Sequence, residues 1–353
     1  MTQASRLLTP LILLFGALAV SADRIDDLVQ RHMRSKKIPG AAVAVTHRGK
    51  PVKAAAYGIS NLELSVPAST DSVFEIGGAT KHFTAVAILE LVKDGKLSLQ
   101  DSIVKHLRGA PETWRNITVY HLLTDTSGLK TITGEKGFEL ARRLTQEQFV
   151  EAAAALPPEN APGERAVYNL TGYILLGYII ENASGRDYWD YLNERLFFPL
   201  NIRTAKPRDP LLIIPNRADG YEPVTGSNLY RNRTTNLTDL FSAGAMTLSL
   251  NDFIKWDAAL AGGQVLTPAG REFMFTPGKL NNGVTHGVGL GCRISKEGIF
   301  TKITVTGASA GFTTCYDRYP DIGLSIIVMV NSSAKLGAVE ISKEIAASYL
   351  QDN

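Results

Sequence analysis

The chain has 353 residues, of which 44% are hydrophobic and 20% are charged. This is the composition of an ordinary globular protein, without a low-complexity tract or a tandem repeat. The formal net charge is only +3, and lysine and arginine are scattered along the chain in short runs. These values exclude the concentrated positive charge of a typical nucleic-acid-binding protein, so we expect no nucleic acid partner.

The first 22 residues have the pattern of a secretory signal peptide. Arg6 precedes the apolar run LLTPLILLFGALAV, and the small residues Ser21 and Ala22 follow it. The run is interrupted by Pro10 and is shorter than the roughly 20 apolar residues that a membrane span needs. We therefore predict cleavage after Ala22, a secreted or periplasmic mature protein, and no stable membrane span after cleavage. An uncleaved anchor is the alternative.

The mature chain reads as strands at both ends around a helical middle. An amphipathic helix over 23–35 is followed by a β-hairpin that turns at 47–50. The next helix, which contains Lys81, is apolar on nearly every side and is expected inside the core. Further helices are predicted over 145–156, 171–185, 250–263 and 340–350, and strands over 287–294, 300–307, 311–320 and 322–331.

These elements predict an α/β (α+β) fold with one antiparallel sheet built from the N- and C-terminal segments and flanked by helices. We assign 23–105 and 236–353 to this α/β part and 106–235 to a mostly helical insert. A ligand-binding cleft is expected between the two parts. The mature cysteines, Cys292 and Cys315, both fall in predicted strands, and the sequence leaves open whether they pair or remain free.

Several ordered segments carry a family resemblance that runs from about residue 25 to 350. They are VFEIGGATKHFTAVAILELVKDGKLSLQDSI, ITVYHLLTDTSGL, APGERAVYNLTGYILLGYIIENASG, SAGAMTLSLNDFIKWDAAL and VTGASAGFTTCYDRYPDIGLSIIVMVN. In these segments the chain resembles the serine β-lactamase and penicillin-binding protein superfamily, in the branch of class C β-lactamases, family VIII esterases and D-peptidases. The resemblance implies a β-lactamase/transpeptidase-like fold.

The resemblance also implies three catalytic motifs. In a Ser-x-x-Lys motif at the start of the buried helix, the serine is acylated and the lysine takes its proton. In a Tyr-x-Asn motif on the insert, the tyrosine moves protons and the asparagine holds the substrate. A Lys-Thr-Gly or His-x-Gly strand forms the edge of the cleft, and backbone N–H groups of this strand and of the serine form an oxyanion hole.

This chain departs from each motif. The first has Gly78 at the nucleophile position, although Lys81 is present. The second retains Tyr168 but has Leu170 in place of asparagine. The third reads Val305-Thr306-Gly307, followed by Ala308, so a valine replaces the lysine or histidine. A fourth segment, HLLTDTSGL, has Asp125 where relatives usually have histidine.

Glycine has no oxygen that can carry an acyl group. Loss of the nucleophile in a triad hydrolase lowers the turnover rate by a factor on the order of 10⁶. We therefore expect a catalytically inactive protein, a pseudoenzyme. Its candidate site combines Lys81, Tyr168 and the nucleophile position Gly78 with the binding positions Leu170, Val305, Thr306, Gly307 and Ala308, and it would hold a small molecule, a peptide or a cell-wall fragment.

Other interpretations remain open. The chain is either an active hydrolase of ester, β-lactam or D-peptide amide bonds that uses unorthodox residues, or an engineered variant that lacks its nucleophile. Hydroxyls at Ser127, Thr306 and Ser309 are alternative nucleophiles without a base in register, and Thr80 points about 100° away from Lys81 on the helix. The Ser332–Lys335 segment is a formal Ser-x-x-Lys, but it follows a strand near the C-terminus, where a loop serine is expected.

A further hypothesis makes Lys81 a poorly solvated amine that forms a Schiff base. We expect no cofactor or metal, since the six histidines show no metal-ligand spacing.

Overall fold

A computed structural model describes residues 24–133, 135, 144–226, 228, 230–232, 238–334 and 336–350. The predicted signal peptide lies outside these residues. A helix over 24–36, named α1, opens the described chain. The strands are β1 Gly40–His47, β2 Lys50–Asn61, β3 Val66–Pro67, β4 Val73–Glu75, β5 Lys206–Pro207, β6 Tyr221–Pro223, β7 Tyr230–Asn232, β8 Met246–Ser249, β9 Arg293–Glu297, β10 Phe300–Ser309, β11 Phe312–Tyr319 and β12 Leu324–Val330.

The remaining helices surround this sheet framework. They are α2 Thr80–Lys93, α3 Val119–Leu123, α4 Gln146–Ala154, α5 Leu170–Ser184, α6 Tyr188–Leu192, α7 Phe241–Gly244, α8 Leu250–Ala261, α9 Pro268–Met274 and α10 Gly337–Leu350. A short 3₁₀ turn, Gly77–Ala79, leads directly into α2. None of the described helices is both long and apolar enough to cross a membrane.

Seven strands form one antiparallel sheet in the order β3-β2-β1-β12-β11-β10-β9. The first and last strands along the chain therefore meet at its centre, where Val43 pairs with Val328. This confirms the prediction of one antiparallel sheet built from both terminal segments. The boundaries proposed for the helical insert remain a prediction.

The central strands are buried on both faces because helices cover each side of the sheet. Along β1, Ala42 and Ala44 face one apolar cluster, which contains α2, α5 and α8. Val43 and Val45 face the other cluster, which contains α1 and α10. Alternate side chains of a strand point to opposite faces, so both core layers are built from the same apolar run. Each fully buried aliphatic side chain contributes about 1.5–3 kcal/mol.

Two local predictions need correction. The segment 287–294 is not a continuous strand, since β9 begins only at Arg293. Gly291 has φ +68°, and a Cβ there would lie 2.7 Å from the Lys81 carbonyl oxygen, so the preceding loop packs directly on the backbone of α2. The middle of the chain, expected to be helix and loop, also contains the short strands β5, β6 and β7.

Both cysteines are free and buried. The pairing that the sequence left open is therefore absent between Cys292 and Cys315 in this structure.

Candidate functional site

The 3₁₀ turn before α2 places Gly78 at the entrance of a small cavity. A Cβ on Gly78 would lie 2.8 Å from the Tyr168 hydroxyl and 3.6 Å from the Thr306 carbonyl oxygen. Sequence positions 78 and 168, assigned to two separate motifs, thus meet in space. The phenol of Tyr168 occupies the volume next to Gly78 into which a serine side chain would project.

Two glycines allow the backbone of strand β10 to lie in direct contact with the backbone of this turn. A Cβ on Gly307 would lie 1.7 Å from the Ile76 carbonyl oxygen, and one on Gly77 would lie 2.4 Å from the Ala308 carbonyl oxygen. Gly77 also has φ +51°, a backbone conformation that favours glycine. Backbone therefore packs on backbone here, which fixes the position of β10 relative to the start of α2.

Lys81 is buried and forms a close ion pair with Asp125. Its Nζ donates to both carboxylate oxygens of Asp125 at 2.9 Å and lies 3.4 Å from the Asn169 carbonyl oxygen. Only 5% of Lys81 and 8% of Asp125 are exposed. The Nζ also lies 4.1 and 4.2 Å from the ring centroids of Tyr168 and Tyr173. The carboxylate and both aromatic faces stabilise the charged ammonium.

Burial lowers the pKa of the Lys81 ammonium, while the charge and hydrogen bonds of Asp125 oppose that shift. Burial likewise raises the pKa of the Asp125 carboxyl, opposed first by the charge of Lys81. A base that accepts a proton from a nucleophile needs a free lone pair. The bidentate contact with Asp125 engages the Lys81 amine, and it equally weighs against the Schiff-base hypothesis.

The loop after α3 holds Asp125 in place. Asp125 has φ +56°, and its carbonyl oxygen accepts from the Val167 N–H at 2.8 Å. The next residue, Thr126, accepts from the Gly163 N–H at 2.8 Å through its carbonyl oxygen. These bonds tie the Asp125 loop to the segment that carries Tyr168, so the two side chains reach the cavity from a common support.

Tyr168 is poorly suited to act as a base. Burial of its hydroxyl end and the nearby charge of Asp125 raise the pKa of Tyr168 to about 12. Tyr168 as a whole residue is 61% exposed. A phenolate at neutral pH is therefore strongly disfavoured, because burial removes its solvation and the Asp125 carboxylate repels it.

A cavity of about 110 Å³ lies between α2, the loop that carries Asp125, and β10. We name it the Lys81 cavity. Five of the residues predicted from the motifs line it: Gly78, Lys81, Tyr168, Val305 and Thr306. The other three lie elsewhere. Leu170 is half-buried against the hydrophobic core at the start of α5, while Gly307 and Ala308 contact the 3₁₀ turn through their backbones.

Asn169, the residue before Leu170, has an amide but uses it to cap α5. Its side-chain oxygen accepts from the Gly172 N–H at 2.7 Å, and its amide nitrogen donates to the Leu129 carbonyl at 2.5 Å. A neighbouring asparagine therefore does not replace the amide that Leu170 lacks.

Tyr173, Cys292 and Arg293 are among the lining residues that sequence reasoning missed. Arg293 stands opposite Thr304 in the β9–β10 register, is exposed, and has no ion-pair partner among the described residues. No sequence signal marked it, since only strand pairing brings it to the cavity. Asp125 was recognised as a departure but not as the partner of Lys81, although the need of a buried ammonium for an anion was a usable signal.

Thr306 lines the cavity beside Lys81, whereas the hydroxyls of Thr80, Ser127, Ser309 and Ser332 are engaged elsewhere. Thr80 donates to the Gly77 carbonyl at 2.7 Å, and Ser309 donates to Glu75 at 3.0 Å. Ser127 accepts from the Leu129 N–H at 3.3 Å, and Ser332 from the Ala334 N–H at 3.1 Å. Lys335, the basic member of that last segment, lies outside the described residues. None of these four hydroxyls lines the Lys81 cavity.

The family model for Beta-lactamase matches residues 25–350 of this sequence. The chain belongs to the β-lactamase family. The match includes both terminal segments of the sheet and the helices between them, as the resemblance implied.

Known relatives of this β-lactamase-family chain include penicillin-binding proteins. This chain is 28% identical over 292 residues to "Penicillin-binding protein 4*" of Bacillus subtilis. The matched region covers 78% of this chain and 64% of that protein. The chain thus spans less than two thirds of the length of this relative.

Solved structures share its fold. The octameric penicillin-binding protein homologue from Pyrococcus abyssi has a TM-score of 0.80 at 24% identity, covering 93% of this chain and 77% of that one. D-amino acid amidase from Ochrobactrum anthropi, complexed with L-phenylalanine, has a TM-score of 0.80 at 23% identity. This match covers 94% of our chain and 98% of the amidase chain.

Proposed function

We propose that this β-lactamase-family chain is an exported ligand-binding pseudoenzyme that does not form an acyl-enzyme. One observation carries the proposal: position 78 offers no hydroxyl, and the lysine that would activate one is held by both oxygens of Asp125. The hydroxyl of Tyr168 takes up the adjoining space. Acyl transfer needs a nucleophile and a free base together, and Gly78 and the paired Lys81 supply neither.

The cavity retains features suited to binding. Its 110 Å³ accommodates a group of only a few heavy atoms, so a larger ligand would place only one end inside. Val305 gives it an apolar wall, and the exposed residue Arg293 also lines it. Among the described residues Arg293 has no ion-pair partner, and such an arginine favours a carboxylate-bearing ligand. We infer a small molecule, peptide or cell-wall fragment that inserts a short end and presents a carboxylate to Arg293.

The test measures hydrolysis of a chromogenic cephalosporin and of short p-nitrophenyl esters, and labelling by a fluorescent penicillin, for the unmodified chain and for Gly78→Ser. We expect no turnover and no adduct in either protein. In Gly78→Ser the new side chain would meet the Tyr168 hydroxyl, and Lys81 would remain paired with Asp125. Turnover or a stoichiometric adduct on the unmodified chain would refute the proposal.

A gain of activity from Gly78→Ser alone would instead identify the chain as a hydrolase disabled at one position. Binding is tested separately by calorimetric titration with short D-amino-acid peptides, comparing the unmodified chain with Arg293→Gln. We expect at least a tenfold loss of affinity in the variant. Export is tested by N-terminal sequencing of the mature protein, which should begin at Asp23.

A further inference from the structure

A second cavity, outside the Lys81 site, lies between α8, α9 and the ends of β10, β11 and β12. We name it the arginine groove after three of its lining residues, Arg48, Arg271 and Arg318. Its volume is about 820 Å³, within the range typical of small-molecule sites. Met274 lies between the two cavities: its carbonyl oxygen accepts from the Leu290 N–H, and its neighbour Phe275 lines the groove.

Two of the three arginines have no ion-pair partner among the described residues. Arg48 is exposed in the tight turn between β1 and β2, and Arg271 is half-buried on α9. The Nε of Arg271 is buried and has no hydrogen-bond acceptor in the described part of the chain. A buried donor left without an acceptor costs roughly 1–3 kcal/mol, so this guanidinium favours an added anion.

Arg318 forms the inner end of the groove. Its Nε lies 3.3 Å from Asp257, whose two carboxylate oxygens already accept from Thr46 and Tyr316 at 2.5 and 2.6 Å. Its guanidinium also lies 5.8 Å from the ring centroid of Phe275. The buried Nε of Arg318 thus lies beside Asp257 without a hydrogen bond among the described residues, and the Asp257 carboxylate offsets part of the positive charge that Arg318 adds to the groove.

The carboxylates of the groove do not neutralise these arginines. Glu272 and Asp321 both line it, but neither forms an ion pair with the three arginines within the described ranges. Asp321 instead accepts from the Thr301 N–H at 2.5 Å. The remaining wall is largely apolar and includes Phe275, Ile303 and Ile322.

We propose that the arginine groove binds an amphipathic organic anion, in which a carboxylate or phosphate contacts Arg48 and Arg271 and an aliphatic or aryl body lies along the apolar wall. Guanidinium groups bind both anions through paired hydrogen bonds, and the apolar wall adds burial of hydrocarbon. This site is independent of the Lys81 cavity and of the proposed function, because the two cavities share no lining residue.

The test is calorimetric titration of the full chain with decanoate and decyl phosphate at low ionic strength. Decanol and decyltrimethylammonium are the neutral and cationic probes of equal chain length. We expect both anions to bind, decanol to bind at least tenfold more weakly, and the cation not to bind. Arg48→Gln and Arg271→Gln should each weaken the anions about tenfold, the equivalent of one charge-assisted hydrogen bond.

A matched variant locates the site. Arg115→Gln, at an arginine whose side chain is 69% exposed away from the groove, should bind the anions like the unmodified chain. Arg48 is exposed, so Arg48→Gln remains informative if Arg271→Gln unfolds. The proposal is overturned if neither anion binds at millimolar concentration, if decanol binds equally well, or if Arg48→Gln leaves the affinity unchanged.

Discussion

The Asp125 carboxylate accepts two 2.9 Å hydrogen bonds from the Nζ of Lys81, and both side chains are more than nine-tenths buried. Removing one member of a buried ion pair typically costs 3–5 kcal/mol, because the other charge is left without a partner. Asp125→Asn should lower the free energy of unfolding by about this amount. Asparagine tolerates the φ of +56° at this position, so the loss reports on the charge. Urea denaturation measures it.

The control for this prediction is Glu112→Gln. Glu112 pairs with Arg115 on the surface, where both side chains are at least 69% exposed. An exposed pair contributes little, so this variant should change stability by no more than about 0.5 kcal/mol. Equal stability of Asp125→Asn and the unmodified chain would contradict the ion-pair interpretation.

The contact between β10 and the turn before α2 predicts unequal effects of two glycine substitutions. Gly307→Ala places a Cβ 1.7 Å from the Ile76 carbonyl oxygen. The backbone of β10 or of the turn before α2 therefore has to move. We expect a loss of more than about 2 kcal/mol in unfolding free energy. Gly78→Ala meets only the Tyr168 hydroxyl, at the end of a side chain that can shift, and should cost less than about 1 kcal/mol. Thermal and urea unfolding compare the two, and equal losses would show that the contact does not constrain the backbone.

His82 should make stability depend on pH. It is completely buried beside Phe83, Trp256 and Tyr316, and neither ring nitrogen has a hydrogen-bond partner among the described residues. Burial, with a smaller effect of Arg318, lowers the pKa of His82 to about 3. Below the unfolded pKa of about 6.5 only the unfolded chain takes up this proton, so stability falls as pH decreases from 6.5 towards 3.

His82→Phe should remove that dependence. At pH 4.5 the His82 contribution amounts to about 2–3 kcal/mol relative to pH 7, using 1.36 kcal/mol for each pKa unit. The measurement is the difference in unfolding free energy between pH 7 and pH 4.5, which cancels any constant cost of repacking phenylalanine. An identical pH difference in both proteins would mean that His82 titrates normally.

The two cysteines should be unreactive in the folded protein. Cys292 lines the Lys81 cavity but is only 6% exposed, and burial raises its pKa to about 12. Burial also raises the pKa of Cys315, with a further contribution from the charge of Asp317. The thiolate is the reactive species, so a disulfide reagent at pH 8 should label neither thiol in buffer and both in 6 M guanidinium chloride. Rapid labelling of one thiol in buffer would reveal an opening of the cavity.

The sequence by itself determined the sheet, the buried helix and the family, because apolar periodicity and motif order are properties of neighbouring residues. It also determined that position 78 has no nucleophile. Only the tertiary structure decided which side chains surround that position. The contact of Lys81 with Asp125, 44 residues away, depends on how two loops pack. Arg293 reaches the cavity through strand register, and Leu170 does not line it although its motif position suggested so. Such contacts join residues far apart along the chain, and no local pattern encodes their distance.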